Sequence, residues 1–286
     1  MKKISTLSVV TGTNSCNAKC PFCIARMTPQ QSAMNNINYR NLDIACRLAE
    51  KAGAVTALIT GKGEPTLYPD TISFYLTNLS KYFPILELQT NGLILPDDKY
   101  NKFLKSWYGL GLTTISLSIV HYNDSRNKEI YTGNRDYINL QLLINKLHNY
   151  GFSVRLSVIA LKNYIDSPME IARMIKFAKD NKVAQLTIRP MVVYEATANK
   201  KVLNWALSHT IGPNWEDIVA KTLSKIKNTF LMNLTHGGKV YDVSGQNVCF
   251  NTCLTLNPNE DELRQLIYFP DGKITYDWRY KGARII

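Results

Sequence analysis

Thr6-Leu7-Ser8-Val9-Val10 runs through Thr11-Gly12-Thr13-Asn14-Ser15 into Cys16-Asn17-Ala18-Lys19-Cys20-Pro21-Phe22-Cys23. The first five residues read as a short β-branched strand, and three thiols follow in the loop that leaves it. Thiolates this close together converge on one soft metal centre, and they are the usual ligands of iron–sulfur clusters. Three ligands where four are normal leave one position open for something that reacts. A Cys3His zinc knot would need a histidine nearby, and His121, His148, His209 and His236 are all remote in sequence.

Working outward, short apolar strands alternate with amphipathic helices. Strands are expected at 6–10, 55–60, 85–89, 113–119, 153–160 and 185–189, and helices at 42–52, 71–82, 97–106, 137–150 and 167–182. In the fourth helix Ile138, Leu142, Leu143, Ile144 and Leu147 form one broad apolar stripe. Gly151 suits its left-handed C-cap, and Ser167 followed by Pro168 suits the start of the next helix. Six such units predict an α/β fold with a parallel sheet, closed as a partial (β/α)6 TIM-like barrel. The active site then belongs in the loops at the C-terminal ends of the strands. The alternation stops near 195. A polar, irregular stretch at 195–213 leads to a helix near 215–227 and then to a hairpin of 266–269 with 273–276 about Pro270-Asp271-Gly272. The domains expected are a core barrel at 1–195 and an extension at 196–286, packed on the barrel and covering the substrate.

The 286 residues carry a net charge of +12. That balance favours polyanionic partners or phosphorylated substrates, although the Lys and Arg residues are scattered as on a solvated basic surface. Leu7–Val10 is too short for the apolar region of a secretory signal, and no window is long enough to span a bilayer. The expectation is a cytoplasmic protein without a membrane partner, its thiols reduced, so that six cysteines point to metal or catalysis before disulfides.

With an aromatic residue before its last cysteine and its place in the first βα loop, the CxxxCxxC of Cys16, Cys20 and Cys23 resembles the radical S-adenosylmethionine (SAM) superfamily. The resemblance covers roughly 5–195. It implies a [4Fe–4S] cluster held by those three cysteines, which are both its metal ligands and its catalytic centre, with SAM chelated on the fourth iron. Gly61-Lys62-Gly63-Glu64-Pro65 at the end of the second strand is similar to the family's GGE motif, which makes Gly61, Gly63 and Glu64 cofactor-binding residues toward the SAM amino group. Gln89-Thr90-Asn91-Gly92 ends the third strand and places Asn91 at the same rim. Polar residues of strands four and five reach SAM in the family, and the same-face pairs Ser116/Ser118 and Arg155/Ser157 are the candidates here, with Ser118, nearer the C-terminal end of its strand, the preferred contact. Adenine falls to Phe22 and to Arg189-Pro190-Met191. His121, after strand four, is a further candidate for a substrate-facing group.

The activity implied is reductive cleavage of SAM to a 5′-deoxyadenosyl radical, which abstracts hydrogen from a substrate that is a small molecule or nucleotide, an RNA or a peptide. An electron donor such as flavodoxin or ferredoxin is implied as a partner. The alternative is a zinc-stabilised nucleic-acid-binding protein without catalytic activity. Cys46 reads as a buried small hydrophobe. Cys249 and Cys253 faintly resemble the auxiliary-cluster domains of peptide-modifying relatives. Two thiols cannot hold a four-thiolate cluster, so a structural pair is expected, with a hydrogen-donating thiol as the alternative.

Overall fold

The computed structural model describes residues 3–27, 37–133, 135–193, 197, 199–234, 237–251, 262–278 and 283–286. Six strands, β1 (Lys3–Val10), β2 (Thr56–Thr60), β3 (Ile85–Thr90), β4 (Leu112–Ile119), β5 (Ser153–Ala160) and β6 (Gln185–Pro190), lie side by side in chain order, and every neighbouring pair is parallel. The helices α1 (Ile24–Met27), α2 (Tyr39–Lys51), α3 (Pro69–Leu79), α4 (Asn101–Gly109), α5 (Asp124–Tyr131), α6 (Leu140–Asn149) and α7 (Pro168–Asp180) lie between them in the chain. This is the partial barrel the alternation predicts.

Local chemistry starts and stops these helices. Asn38, Asn139 and Ser167 cap α2, α6 and α7 by accepting the N–H groups of Asn41, Leu142 and Glu170, contacts of this kind being worth about 1 kcal/mol each. Gly151 follows α6 with φ +91°, the left-handed turn that lets β5 begin two residues later.

Strand parity sorts the residues into two environments. Leu7, Val9, Ala57, Ile59, Leu86, Leu88, Ile115, Leu117, Val154, Leu156, Leu186 and Ile188 point outward into one core. There they meet Leu42 and Cys46 of α2, Ile72 and Leu76 of α3, Leu143 and Leu147 of α6 and Met174 of α7. Each fully buried Leu or Ile contributes about 1.5–3 kcal/mol. The alternate residues Ser8, Thr60, Gln89, Ser116, Ser118, Arg155, Ser157 and Thr187 turn to the inner face. A packed barrel fills that face with branched apolar side chains; here it is polar and borders a cavity.

After 195 the chain forms α8 (Lys200–His209), α9 (Trp215–Leu223) and the strands β7 (Asn228–Asn233), β8 (Lys239–Val243), β9 (Gln246–Phe250), β10 (Glu262–Tyr268) and β11 (Ile274–Thr275). β9 pairs parallel with β6 and β10 parallel with β1, so these strands continue the sheet at both edges. The order β11-β10-β1-β2-β3-β4-β5-β6-β9-β8-β7 has two free ends, and the sheet is not closed. The β10–β11 hairpin forms where its turn residues place it. The stretch expected to be irregular instead contains α8. Asn199 caps it by accepting the Val202 N–H at 3.2 Å, and Val202 and Ala206 are its buried stripe. Cys249 is buried on β9, and Cys253 lies outside the described residues. Among the described residues no helix is long and apolar enough to cross a membrane.

Candidate active site

The loop between β1 and α1 carries the three cysteines and is braced from several sides. Thr13 Oγ1 and the Tyr68 hydroxyl are hydrogen-bonded at 2.6 Å. The Glu64 N–H donates to the Ser15 carbonyl at 2.9 Å, and the Lys19 N–H donates to the Tyr131 carbonyl at 2.8 Å. Asn91 Nδ2 donates to Asn17 Oδ1 at 2.8 Å and approaches Cys16 Sγ at 3.7 Å. Gly63 is required by this packing, because a Cβ there would lie 2.0 Å from the Ser15 oxygen and 2.7 Å from that of Thr13. The glycine-rich turn after β2 is therefore the shelf on which the cysteine loop rests.

Glu64 is the anchor of that shelf. It is 3 % exposed. Its Oε1 accepts the Thr66 N–H at 2.9 Å, the Thr66 hydroxyl at 2.6 Å and the Thr90 hydroxyl at 2.6 Å, while among the described residues Oε2 accepts only the Asn91 N–H at 2.8 Å. Burial raises the pKa of the carboxyl, and these donors pull it back down. Oε2 retains acceptor capacity beside the cavity. Lys62, between the two glycines, is also buried; desolvation lowers its pKa, and the Cys23 thiol nearby opposes that shift.

Cys16, Cys20, Cys23, Phe22, Gly61, Gly63, Glu64, Asn91, Ser118 and Met191 line one cavity, at the C-terminal ends of the strands. Desolvation of the sulfur by the surrounding loop is the main cause raising the thiol pKa of Cys20 and of Cys16, whose residue is otherwise exposed; each also feels the charge of the neighbouring thiols. Such thiols ionise once a cationic centre takes them as ligands. Among the described residues no three Cys, His, Asp or Glu side chains form a single-ion site. One tetrahedral zinc would need its sulfurs about 4 Å apart. Three soft thiol donors lining one cavity are the donor set that iron–sulfur chemistry uses, one fewer than the usual four.

One side of this cavity is apolar. Phe22 and Met191 pack with Val202 and Ala206 of α8, and the Phe22 and Trp205 rings stand 5.9 Å apart. A second, polar cavity adjoins the first, the two sharing Thr60, Gln89, Ser118 and Arg189. Arg155 and Ser157 line that second cavity and not the first. Ser116 lies one inward step below Ser118, fully buried, its Oγ without a hydrogen-bond partner.

His121 lies elsewhere. Its Nδ1 accepts the Asn123 N–H at 3.0 Å, its Nε2 sits 3.4 Å from Glu170, and burial lowers its pKa, so it fastens the end of β4 to α7. Thr60, Gln89, Thr90 and Tyr131 also line the first cavity, and none was itself named as a site residue from sequence. Thr60 and Gln89 share the inward parity of Ser118 at strand ends, which is a usable signal; Tyr131, at the end of α5, carries none.

Fold and site together define a class: an α/β protein with a largely parallel sheet whose first βα loop gathers three thiols beside a cavity at the strand ends. The model of the radical SAM superfamily matches residues 10–178, and the chain belongs to that superfamily. It is an enzyme family, and membership does not favour the zinc-binding alternative. SuiB of Streptococcus suis bound to S-adenosylmethionine aligns with a TM-score of 0.60 at 16 % identity, covering 96 % of this chain and 60 % of that one. SuiB bound to the precursor peptide SuiA aligns with a TM-score of 0.60 at 17 % identity, over 96 % and 59 % of the two chains. Histidine-tagged anSMEcpe with bound AdoMet aligns with a TM-score of 0.55 at 14 % identity, over 99 % and 77 %. The chain thus spans about three fifths of the length of SuiB. No curated protein matches the sequence.

Proposed function

We propose that Cys16, Cys20 and Cys23 hold a [4Fe–4S] cluster, that SAM binds beside it in the first cavity, and that the substrate enters the adjoining polar cavity. The observation that carries this reading is the gathering of three thiols, the Glu64 carboxylate and Asn91 around one cavity at the strand ends. When bound, the cluster supplies the electron that cleaves SAM to methionine and a 5′-deoxyadenosyl radical, which abstracts hydrogen from the substrate.

The chain's own residues hold and shield the reactants. Glu64 Oε2 has capacity left to accept the SAM ammonium. Ser118, at the junction of the two cavities, offers a hydroxyl to the ribose or carboxylate. Phe22, Met191 and the α8 side chains make the apolar wall for adenine and keep water from that side. Cys16 and the two residues before it are exposed, which gives an electron donor of the flavodoxin or ferredoxin type access to the cluster edge. The net charge of +12 complements such acidic carriers. The peptide bound by SuiB makes a peptide one substrate class to try, beside small molecules.

The test is anaerobic reconstitution with iron and sulfide, reduction with dithionite, addition of SAM and assay of 5′-deoxyadenosine. The reading expects product that vanishes in Cys16→Ala, Cys20→Ala and Cys23→Ala. Zinc without acid-labile sulfide in anaerobically purified protein would sink it.

A further inference from the structure

The second cavity has a charge pattern that narrows the substrate. Arg155, Arg189 and Arg264 line it together with Gln89, Gln185, Gln265, Ser157 and Thr187, and among the described residues no Asp or Glu lines it. Its walls come from both halves of the chain, since β9 contributes Cys249 and β10 contributes Arg264 and Gln265.

Arg155 is the informative side chain. Glu87 meets it from the neighbouring inner face, and both carboxylate oxygens take the same nitrogen, Nη1, at 2.9 and 2.8 Å. The guanidinium is therefore only half used. Nε is buried without a hydrogen-bond partner, so the guanidinium keeps donor capacity beyond the one nitrogen that Glu87 takes. A second orphan donor lies close by. Thr187 is 6 % exposed, its Oγ1 is unpartnered, and it pairs in register with Ser157 of β5 and Cys249 of β9. Buried donors left open in this way are satisfied by an acceptor. A neutral apolar group would leave them open, and a cation would meet the arginines.

We propose that the substrate of this enzyme carries an oxyanion, a carboxylate or a phosphate, that docks on Arg155 in the second cavity. The oxyanion end then sits on the polar floor, and the rest of the substrate reaches toward the junction formed by Thr60, Gln89 and Ser118, where the cofactor cavity opens. This inference rests on the radical SAM reading for the role of the cavity, but its recognition chemistry is independent of it.

The test is isothermal titration of the reconstituted protein, with and without SAM, against propionate, inorganic phosphate and the neutral isostere propionamide. The expected result is saturable binding of one of the two anions, which identifies the group, with propionamide at least about tenfold weaker. The paired variant E87Q/R155Q, which replaces the ion pair by two neutral amides, should weaken that anion by at least about tenfold and leave propionamide unmoved. R155K, which keeps a cation opposite Glu87 but has no second nitrogen to offer the anion, gives the same test should the paired variant fail to fold. No saturable anion binding, equal affinity for anion and amide, or undiminished anion binding in every folded variant overturns the proposal. Assay of 5′-deoxyadenosine on the same wild-type preparation separates the two readings. Anion binding without that product sinks the radical reading alone; the product without anion binding sinks this one alone.

Discussion

The Oε2 atom of Glu64 accepts the backbone N–H of Asn91 at 2.8 Å, so one carboxylate ties the turn after β2 to the turn after β3. Asn91 in turn reaches the cysteine loop through Asn17 and Cys16, which makes Glu64 the first link of a chain that ends at the thiols. Glu64→Gln keeps the shape and loses acceptors. Whichever way the amide turns, its NH2 faces at least one of the four donors. The expected cost is about 1–3 kcal/mol of stability at neutral pH, with SAM affinity falling as well. Urea denaturation and a SAM titration of the two proteins check it; unchanged values in both would deny Glu64 this role.

The same carboxyl sets a pH dependence. Burial raises its pKa in the folded protein above the ordinary value of 4.5. Between the two values the folded state holds a proton that the unfolded state has released, so stability falls as pH rises through that window and is level above it. E64Q cannot titrate there. The stability of wild type relative to E64Q should therefore decline as pH rises from 4.5 and then flatten, the other groups cancelling in the difference. A difference that grows with pH in favour of wild type would contradict the burial argument.

Gly63→Ala tests the contact between the two loops. Its Cβ would lie 2.0 Å from the Ser15 oxygen, a backbone atom that cannot swing aside. The cysteine loop must move, and the Glu64–Ser15 hydrogen bond goes with it. The variant should lose about 1–3 kcal/mol and more than half of its reconstituted iron per chain. Gly109→Ala is the control. Nothing lies within 4 Å of its Cβ, and as the last residue of α4 it should gain up to about 0.5–1 kcal/mol. Equal iron in both would show that the loops do not depend on this packing.

Much of this arrangement was legible from local patterns. Period-two and period-3.6 apolar spacing located β1 to β6 and most of their helices, because those residues meet the shared core directly. The glycine turn and Asn91 were legible because strand ends converge in a parallel sheet. What escaped depends on distant partners. α8 was hidden by Lys200, Lys201 and the polar run before them, and its stripe is apparent only once Phe22 and Met191 supply the surface it covers. Ser116 and Ser118 share a face, and only Ser118 lines the first cavity, in keeping with its place nearer the C-terminal end of β4. Nothing local announces that Glu87 and Arg155 meet across 68 residues, or that β10 returns to pair with β1.

That return yields the last prediction. Ser8 Oγ donates to Gln265 Oε1 at 2.8 Å in a buried contact, and β1 and β10 pair along their lengths from Lys3 with Glu262 to Val9 with Tyr268. At the other edge β9 covers β6, and Leu266, Tyr268, Val248, Phe250 and Trp215 belong to the same core as the first six strands. We therefore expect residues 1–195 alone to lack a cooperative unfolding transition. Both edge strands would expose unpaired N–H and C=O groups, and the core would open at its two ends. The full chain should unfold in one transition, followed by circular dichroism in urea. Gln265→Ala, which leaves the Ser8 hydroxyl buried and unpartnered, should shift that transition by about 1–3 kcal/mol without splitting it. A cooperative transition for 1–195 would show instead that the six-stranded core is a domain in its own right and that the C-terminal strands are an addition to it.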